Sequence, residues 1–255
     1  MLYGFTIDPF PKHATLTEYF SINCLQMTQS QQMLKAYIMV GLNSTFQNPK
    51  KDLEQAIIDY DKRAHQVRDY FQTLLKQKNS PQAQNAIKSF DEAMKLWKQN
   101  KTMLEKKPDI NHVLLLKDNF QKMITKLLEG TKPLATPDLE LISLTGKLCR
   151  KPIEITIDYL ARIWGVKIPN YHEDVEKIMK NYHKNLTTLS ANKLNNKDSL
   201  ALLKKAKRQF LFFEIMYKSK SRFIPSLLSK KADDNFLIIR KIKMIYKKQA
   251  MSDTK

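Results

Sequence analysis

One set of residues appears twice along the chain, in the same order. Tyr37-Ile-Met-Val-Gly41 returns as Tyr159-Leu-Ala-Arg-Ile-Trp-Gly165, and Asp59-Tyr60-Asp61-Lys62 returns as Asn181-Tyr182-His183-Lys184. Both tyrosine pairs are 122 residues apart. Phe90…Trp97 matches Phe210…Tyr217, and Asp118-Asn119-Phe120 matches Asp234-Asn235-Phe236, at offsets of 120 and 116. The offset shrinks only between segments, where loops change length at little cost. Chance supplies one such match but not an ordered series, so the chain reads as a divergent internal duplication.

What is duplicated is helical. The chain spends only 5 glycines on 255 residues, and sheet-rich folds need more for their turns. Breakers then mark out the helices. The first runs from about Thr15 to Leu42. Asn48-Pro49 opens a second, which ends near Lys78-Asn79-Ser80. Ser80 caps a third with Pro81 at its first position, and Lys107-Pro108-Asp109 breaks it. A fourth spans about Ile110 to Leu128, and Gly130-Thr131-Lys132-Pro133 reads as a C-cap and linker. The second cycle has helices near Pro137–Trp164, Tyr171–Ser190, Ser199–Lys218 and Asp233–Lys248. Ser221–Lys231 reads as helix broken at Pro225, and Asp233-Asp234 as N-terminal acids that complement the helix dipole. Short connections force antiparallel neighbours, so the expected fold is all-α: two tandem antiparallel up-down four-helix bundles. The expected organisation is an N-terminal segment 1–14, bundles 15–130 and 131–250, and a polar tail 251–255.

The net charge of +19 raises the question of nucleic acid. Only seven of the 44 basic residues are Arg, and Lys is spread over the whole length. Base and phosphate clamps favour the bidentate Arg fork, so no specific nucleic-acid partner is expected. Cys24 and Cys149 have no metal spacing, and a single bridge between them is unsupported. No run approaches the roughly 20 apolar residues that cross a bilayer. The first residues lack a signal peptide's basic start and apolar centre, so the chain reads as cytoplasmic as written, and as periplasmic if a signal lies upstream of Met1. No His-Glu-x-x-His, Gly-x-Ser-x-Gly or phosphate-cradling glycine loop occurs, so neither an enzyme nor a cofactor is expected.

One stretch departs from the apolar pattern. The first helix has a stripe at Leu16, Phe20, Met27, Leu34, Ile38 and Gly41, and Asn23, Ser30 and Gln31 fall on or beside it. Inward polar groups are costly unless something satisfies them. Ser30 can bond to the carbonyl one turn back and Gln31 can bridge to a neighbouring helix. Alternatively these groups converge on a small polar ligand inside the bundle. In the second copy the same positions hold Pro152 and Ile153, with Thr145 for Asn23 and Cys149 for Met27. Pro152 is expected to kink or irregularly wind that helix. Lys147 and Arg150 lie nearby and either present cations to an anion or snorkel to water.

Ser30-Gln-Gln-Met-Leu-Lys-Ala-Tyr37 resembles the Ser-Gln-Arg-Met-x-Lys-x-Tyr signature of the PilJ-type domain, the N-terminal sensing domain of type IV pilus chemotaxis transducers. Ile142-Ser-Leu-Thr-Gly-Lys-Leu-Cys-Arg150 is similar to the opening of that signature through Ile142, Leu144 and Gly146, with Tyr159 and Leu160 downstream. The signature's arginine positions hold Leu25, Met27 and Gln32 in the first copy and Lys147, Cys149 and Glu154 in the second. The resemblance implies a non-catalytic, ligand-sensing tandem of helical bundles. With the polar groups of the first helix, this makes Asn23, Ser30, Gln31, Lys35, Lys147 and Arg150 the expected contacts of a small molecule or anion, and a signalling protein the expected partner. A homodimer is compatible with it. The other expectation is a structural or interaction module that sets its Lys-rich faces and basic last helix on an acidic protein or an anionic membrane surface.

Overall fold

The computed structural model describes residues 14–219 and 224–252, and the described residues are almost all helical. Among the described residues eight α-helices follow in order: α1 Leu16–Gly41, α2 Pro49–Lys78, α3 Pro81–Leu104, α4 Val113–Thr131, α5 Pro137–Trp164, α6 Tyr171–Ser190, α7 Lys197–Ser219 and α8 Pro225–Ser252. They divide into two units, residues 1–136 and 137–255. Residues 1–13 of the expected N-terminal segment and 253–255 of the expected tail lie outside the described residues, while Met251 and Ser252 of that tail belong to α8.

Local chemistry sets most helix ends. Thr15 closes a capping box with Glu18, each serving the other's backbone amide. Ser80 accepts from Ala83 N ahead of Pro81, and Asn48 accepts from Lys51 N ahead of Pro49. Asn79 ends α2 in the left-handed region, which Asn tolerates. The α5 and α6 boundaries coincide with the breakers in the sequence.

In unit 1 consecutive helices are antiparallel. Tyr19, at the start of α1, stacks on Tyr70 near the end of α2, with ring centroids 3.5 Å apart. Further along α1, Gln29 Nε2 donates to Ala56 O early in α2. Between α2 and α3, Arg68 meets Asp91 while Lys101 meets Asp61. Lys126 of α4 pairs with Glu92 of α3, and α1 closes the ring against α4. Phe71, Phe90, Trp97 and Phe120 fill the interior, each worth about 3–5 kcal/mol against truncation to Ala. Unit 2 repeats the circuit, α5 to α6 to α7 to α8 and back to α5. Tyr182 stacks on Phe210 at 3.6 Å between centroids. Three duplicated aromatic pairs are buried in both units, Tyr60 and Tyr182, Phe90 and Phe210, Phe120 and Phe236, whereas Tyr37 and Trp97 are buried and their counterparts Tyr159 and Tyr217 only half-buried.

Several expectations are corrected. Gly130 is no C-cap. It lies inside α4, where a Cβ would stand 2.7 Å from the Phe90 ring, so its role is to let α3 and α4 approach. The chain then continues in a 3-10 turn, Lys132–Leu134, and the units divide after Thr136 instead of at residue 130. Among the described residues the glycine with positive φ is Gly165, directly after α5. Pro225 begins α8, where its missing N–H would have had no partner anyway, and residues 221–223 of the expected broken helix lie outside the described residues. Asp233 and Asp234 are therefore mid-helix: Asp233 is buried and Asp234 pairs with Lys230. The segment expected to open the fourth helix forms a 3-10 turn, Ile110–His112, ahead of α4. Pro152 lies inside α5, and the Thr156 hydroxyl donates to the Pro152 carbonyl.

Candidate functional site

Helix α1 does not present a single buried stripe. Every residue from Asn23 to Met39 is buried, while Leu16 and Gly41 at the ends of the expected stripe are only half-buried. The polar notch is thus part of a longer polar stretch, because Gln26, Thr28, Gln29 and Gln32 are buried with it.

The six expected site residues divide between the units, four in unit 1 and two in unit 2. Ser30 is satisfied within its own helix, its hydroxyl donating to Met27 O at 2.8 Å. Thr145, its neighbour's counterpart in the second unit, does the same to Ile142 O at 2.7 Å. Gln31 is buried at 4% exposure, and Lys35 one turn later at 5%. By spacing, Asn23 and Ser30 share one face of α1, and Gln31 and Lys35 share another. On α5, Lys147 is half-buried and Arg150 is buried. Glu154, which stands at a signature arginine position, is held by Lys151 at 2.6 Å. Cys24 and Cys149 are both buried thiols.

Asn23 is different from these. It is fully buried, and neither its carboxamide oxygen nor its nitrogen has a hydrogen-bond partner. Three residues on, Gln26 is 2% exposed and its Nε2 is also unpartnered. Gln26 borders a cavity of about 10 Å³ inside unit 1, whose other walls include Tyr60, Val67, Phe90, Trp97 and Met123. That volume suits about one water. The Tyr60 hydroxyl donates to Met123 Sδ at 3.6 Å, a weak acceptor, and burial pushes its pKa well up, so it stays neutral.

Beside the cavity, α2 and α3 are tied by an ordered polar group. Trp97 Nε1 donates to Asp61 Oδ1 at 2.7 Å, and Lys101 donates to Oδ2 at 2.9 Å. Burial by itself would raise the Asp61 pKa. The two donors and the Lys101 charge outweigh it and hold the carboxyl below its ordinary 3.8. Arg68, also on the cavity edge, places Nε and Nη2 on Asp91 at 3.2 and 3.1 Å.

The matching place in unit 2 is closed on itself. Tyr182 Oη donates to Ala206 O at 3.4 Å and accepts from Asn235 Nδ2 at 3.3 Å. Asn235 Nδ2 also reaches Ala206 O at 3.2 Å. Asn23 and Gln26 of unit 1 are unpartnered, whereas unit 2 holds Thr145, bonded to Ile142 O, and the apolar Leu148 at the same two positions. Sequence reasoning found Asn23 but passed over Gln26 and counted Trp97 as core. The available signal was density: Gln26, Gln29, Gln31 and Gln32 fall within seven residues of one helix.

The unpartnered groups here are neutral amides, set beside aromatic rings whose polar atoms are already engaged. Among the described residues, no three His, Cys, Asp or Glu side chains gather as metal ligands would, and no helix is long and apolar enough to cross a membrane. Comparison with models of protein families, with curated proteins and with solved structures finds no match for the chain.

Proposed function

We propose that the chain is a non-catalytic binding protein, built like a PilJ-type sensor, that takes a small polar or anionic molecule between the helices of unit 1 and signals through a partner protein. Asn23 carries this reading: a fully buried carboxamide with both atoms unpartnered. Each such group costs about 1–3 kcal/mol. Leucine at this position would avoid that cost. A ligand with both donors and acceptors, such as an amino acid or a hydroxy acid, would satisfy Asn23 and the Gln26 amide together. The cavity beside Gln26 admits about one water. Anything larger enters only if helices of unit 1 shift, and that shift is the output.

The test is a thermal-shift screen of the full chain against amino acids, organic acids and small anions at fixed ionic strength. A ligand at about 100 times its dissociation constant adds about 2.7 kcal/mol. Asn23→Leu with Gln26→Leu should raise the ligand-free melting temperature and abolish the ligand's effect. Ser30→Ala should leave the response in place, since Ser30 bonds only to its own helix. Silence across the panel, or a shift that survives the Asn23/Gln26 change, overturns the reading.

A further inference from the structure

Unit 2 carries an open groove of about 530 Å³ between the start of α7 and the second half of α8. Its floor is apolar: Leu202 from α7, and Leu237, Met244 and Ile245 from α8, all half-buried. Its edges are charged. Arg240, Lys241 and Lys248 stand along α8, and Asp198 lines the α7 side. Leu237, Lys241, Met244, Ile245 and Lys248 recur at four, seven, eight and eleven residues, the spacing of one helix face. The groove is therefore straight and runs along α8. At 1.5 Å per residue its α8 wall is about 17 Å long, roughly three helical turns.

We infer that this groove is a docking site for an acidic amphipathic helix of a partner protein. A third helix laid between α7 and α8 would seat apolar residues one and two turns apart on the floor. Its flanking carboxylates would meet Lys241, Lys248 and Arg240. Asp198, at the α7 end, would select a guest with a basic residue there and so fix its direction. Met244 is the adaptable part of the floor, since an unbranched thioether repacks against varied side chains. A bilayer is a poor fit, because the apolar residues are recessed and not raised above the lysines. A second copy of the chain is disfavoured by the charge of +19 on each. A different groove, of about 600 Å³ in unit 1, lacks this bias: Lys50, Lys106 and Lys107 are offset there by Glu54 and Glu105.

The proposal does not depend on the small-molecule reading, and its experiment uses no small ligand. The full chain is titrated into a labelled helical peptide of about 14 residues, ~20 Å long, with leucines on one face and glutamates flanking them. Fluorescence anisotropy is read at low and physiological salt. Binding should weaken as salt rises. It should fall at least tenfold for a scrambled peptide of the same composition, and again for the chain carrying Lys241→Glu and Lys248→Glu. Those two lysines are exposed, so the fold should tolerate the change. Leu237→Asp should also abolish binding, with circular dichroism confirming retained helix. Equal binding of the scrambled peptide, or indifference to the lysine reversal, overturns the inference. So does tight binding of phosphatidylglycerol vesicles that the same reversal removes while the peptide shows none, which would make the groove a lipid site.

Discussion

Asn100 and Asn235 are the same side chain, each fully buried, in opposite circumstances. Asn235 spends its amide nitrogen on Ala206 O and Tyr182 Oη. Asn100, on α3, has neither carboxamide atom paired. A net hydrogen bond is worth about 0.5–1.5 kcal/mol, but stranding a buried partner costs about 1–3 kcal/mol. Replacing Asn235 by Leu strands part of the Ala206 carbonyl and the tyrosine hydroxyl. It should therefore destabilise unit 2 by about 1–3 kcal/mol. Replacing Asn100 by Leu removes two orphaned atoms with little change of volume, and should leave stability equal or raise it. Urea unfolding of both variants checks the contrast. A loss at Asn100 as large as that at Asn235 would mean that Asn100 is satisfied in solution by bound water. The same asymmetry underlies the weight given to Asn23: a buried carboxamide is informative when its partners are missing, whereas Ser30, equally buried, is explained by its own helix.

Between elements, the closest approach with a single-residue test is α3 against α4 at Gly130. Gly to Ala inside a helix ordinarily gains about 0.5–1 kcal/mol. Here the added Cβ would stand 2.7 and 2.8 Å from two Phe90 ring carbons, and Phe90 is itself 1% exposed. Overpacking of that kind costs about 1–3 kcal/mol. The clash wins, so Gly130→Ala should lower stability, and Phe90→Leu in the same chain should restore part of the loss. A stabilised Gly130→Ala would show that the Phe90 ring yields freely. Gly130 also marks the limit of what the sequence discloses. Residues whose effect is local were readable: Ser80 with Pro81, Asn48 with Pro49, and both ends of α5 and α6. Gly130 and Pro225 were not, because each residue type serves two uses. A glycine ends a helix or admits a neighbour, and a proline breaks a helix or begins one. Only the packing partner decides. The candidate site was legible to the same degree. The polarity of α1 was visible, but one-face periodicity implied a solvent side. The burial of Gln26, Gln29 and Gln32 comes from tertiary structure and has no local signal.

Across the whole chain the dominant electrostatic fact is imbalance: 44 basic against 25 acidic residues. Two salt effects oppose each other. Exposed ion pairs such as Lys122–Asp118 and Lys126–Glu92 lose strength as salt rises, but solvent already screens them and each adds little. Self-repulsion among the surplus cations is relieved by the same salt, and it acts over the full charge of +19. At about 10 mM salt the Debye length is ~30 Å, so most lysines of a unit feel one another. At about 150 mM it is ~8 Å, and only near neighbours do. Repulsion should win. The melting temperature should rise by several degrees between those two conditions, in chloride as the sodium or potassium salt alike. Reversing charge at Lys241 and Lys248 should shrink that rise, since it lowers the net charge by four. Differential scanning calorimetry over a salt series decides it. A melting temperature that falls with salt would mean that the few ion pairs outweigh the surplus, and that the lysines are arranged to avoid one another despite their number.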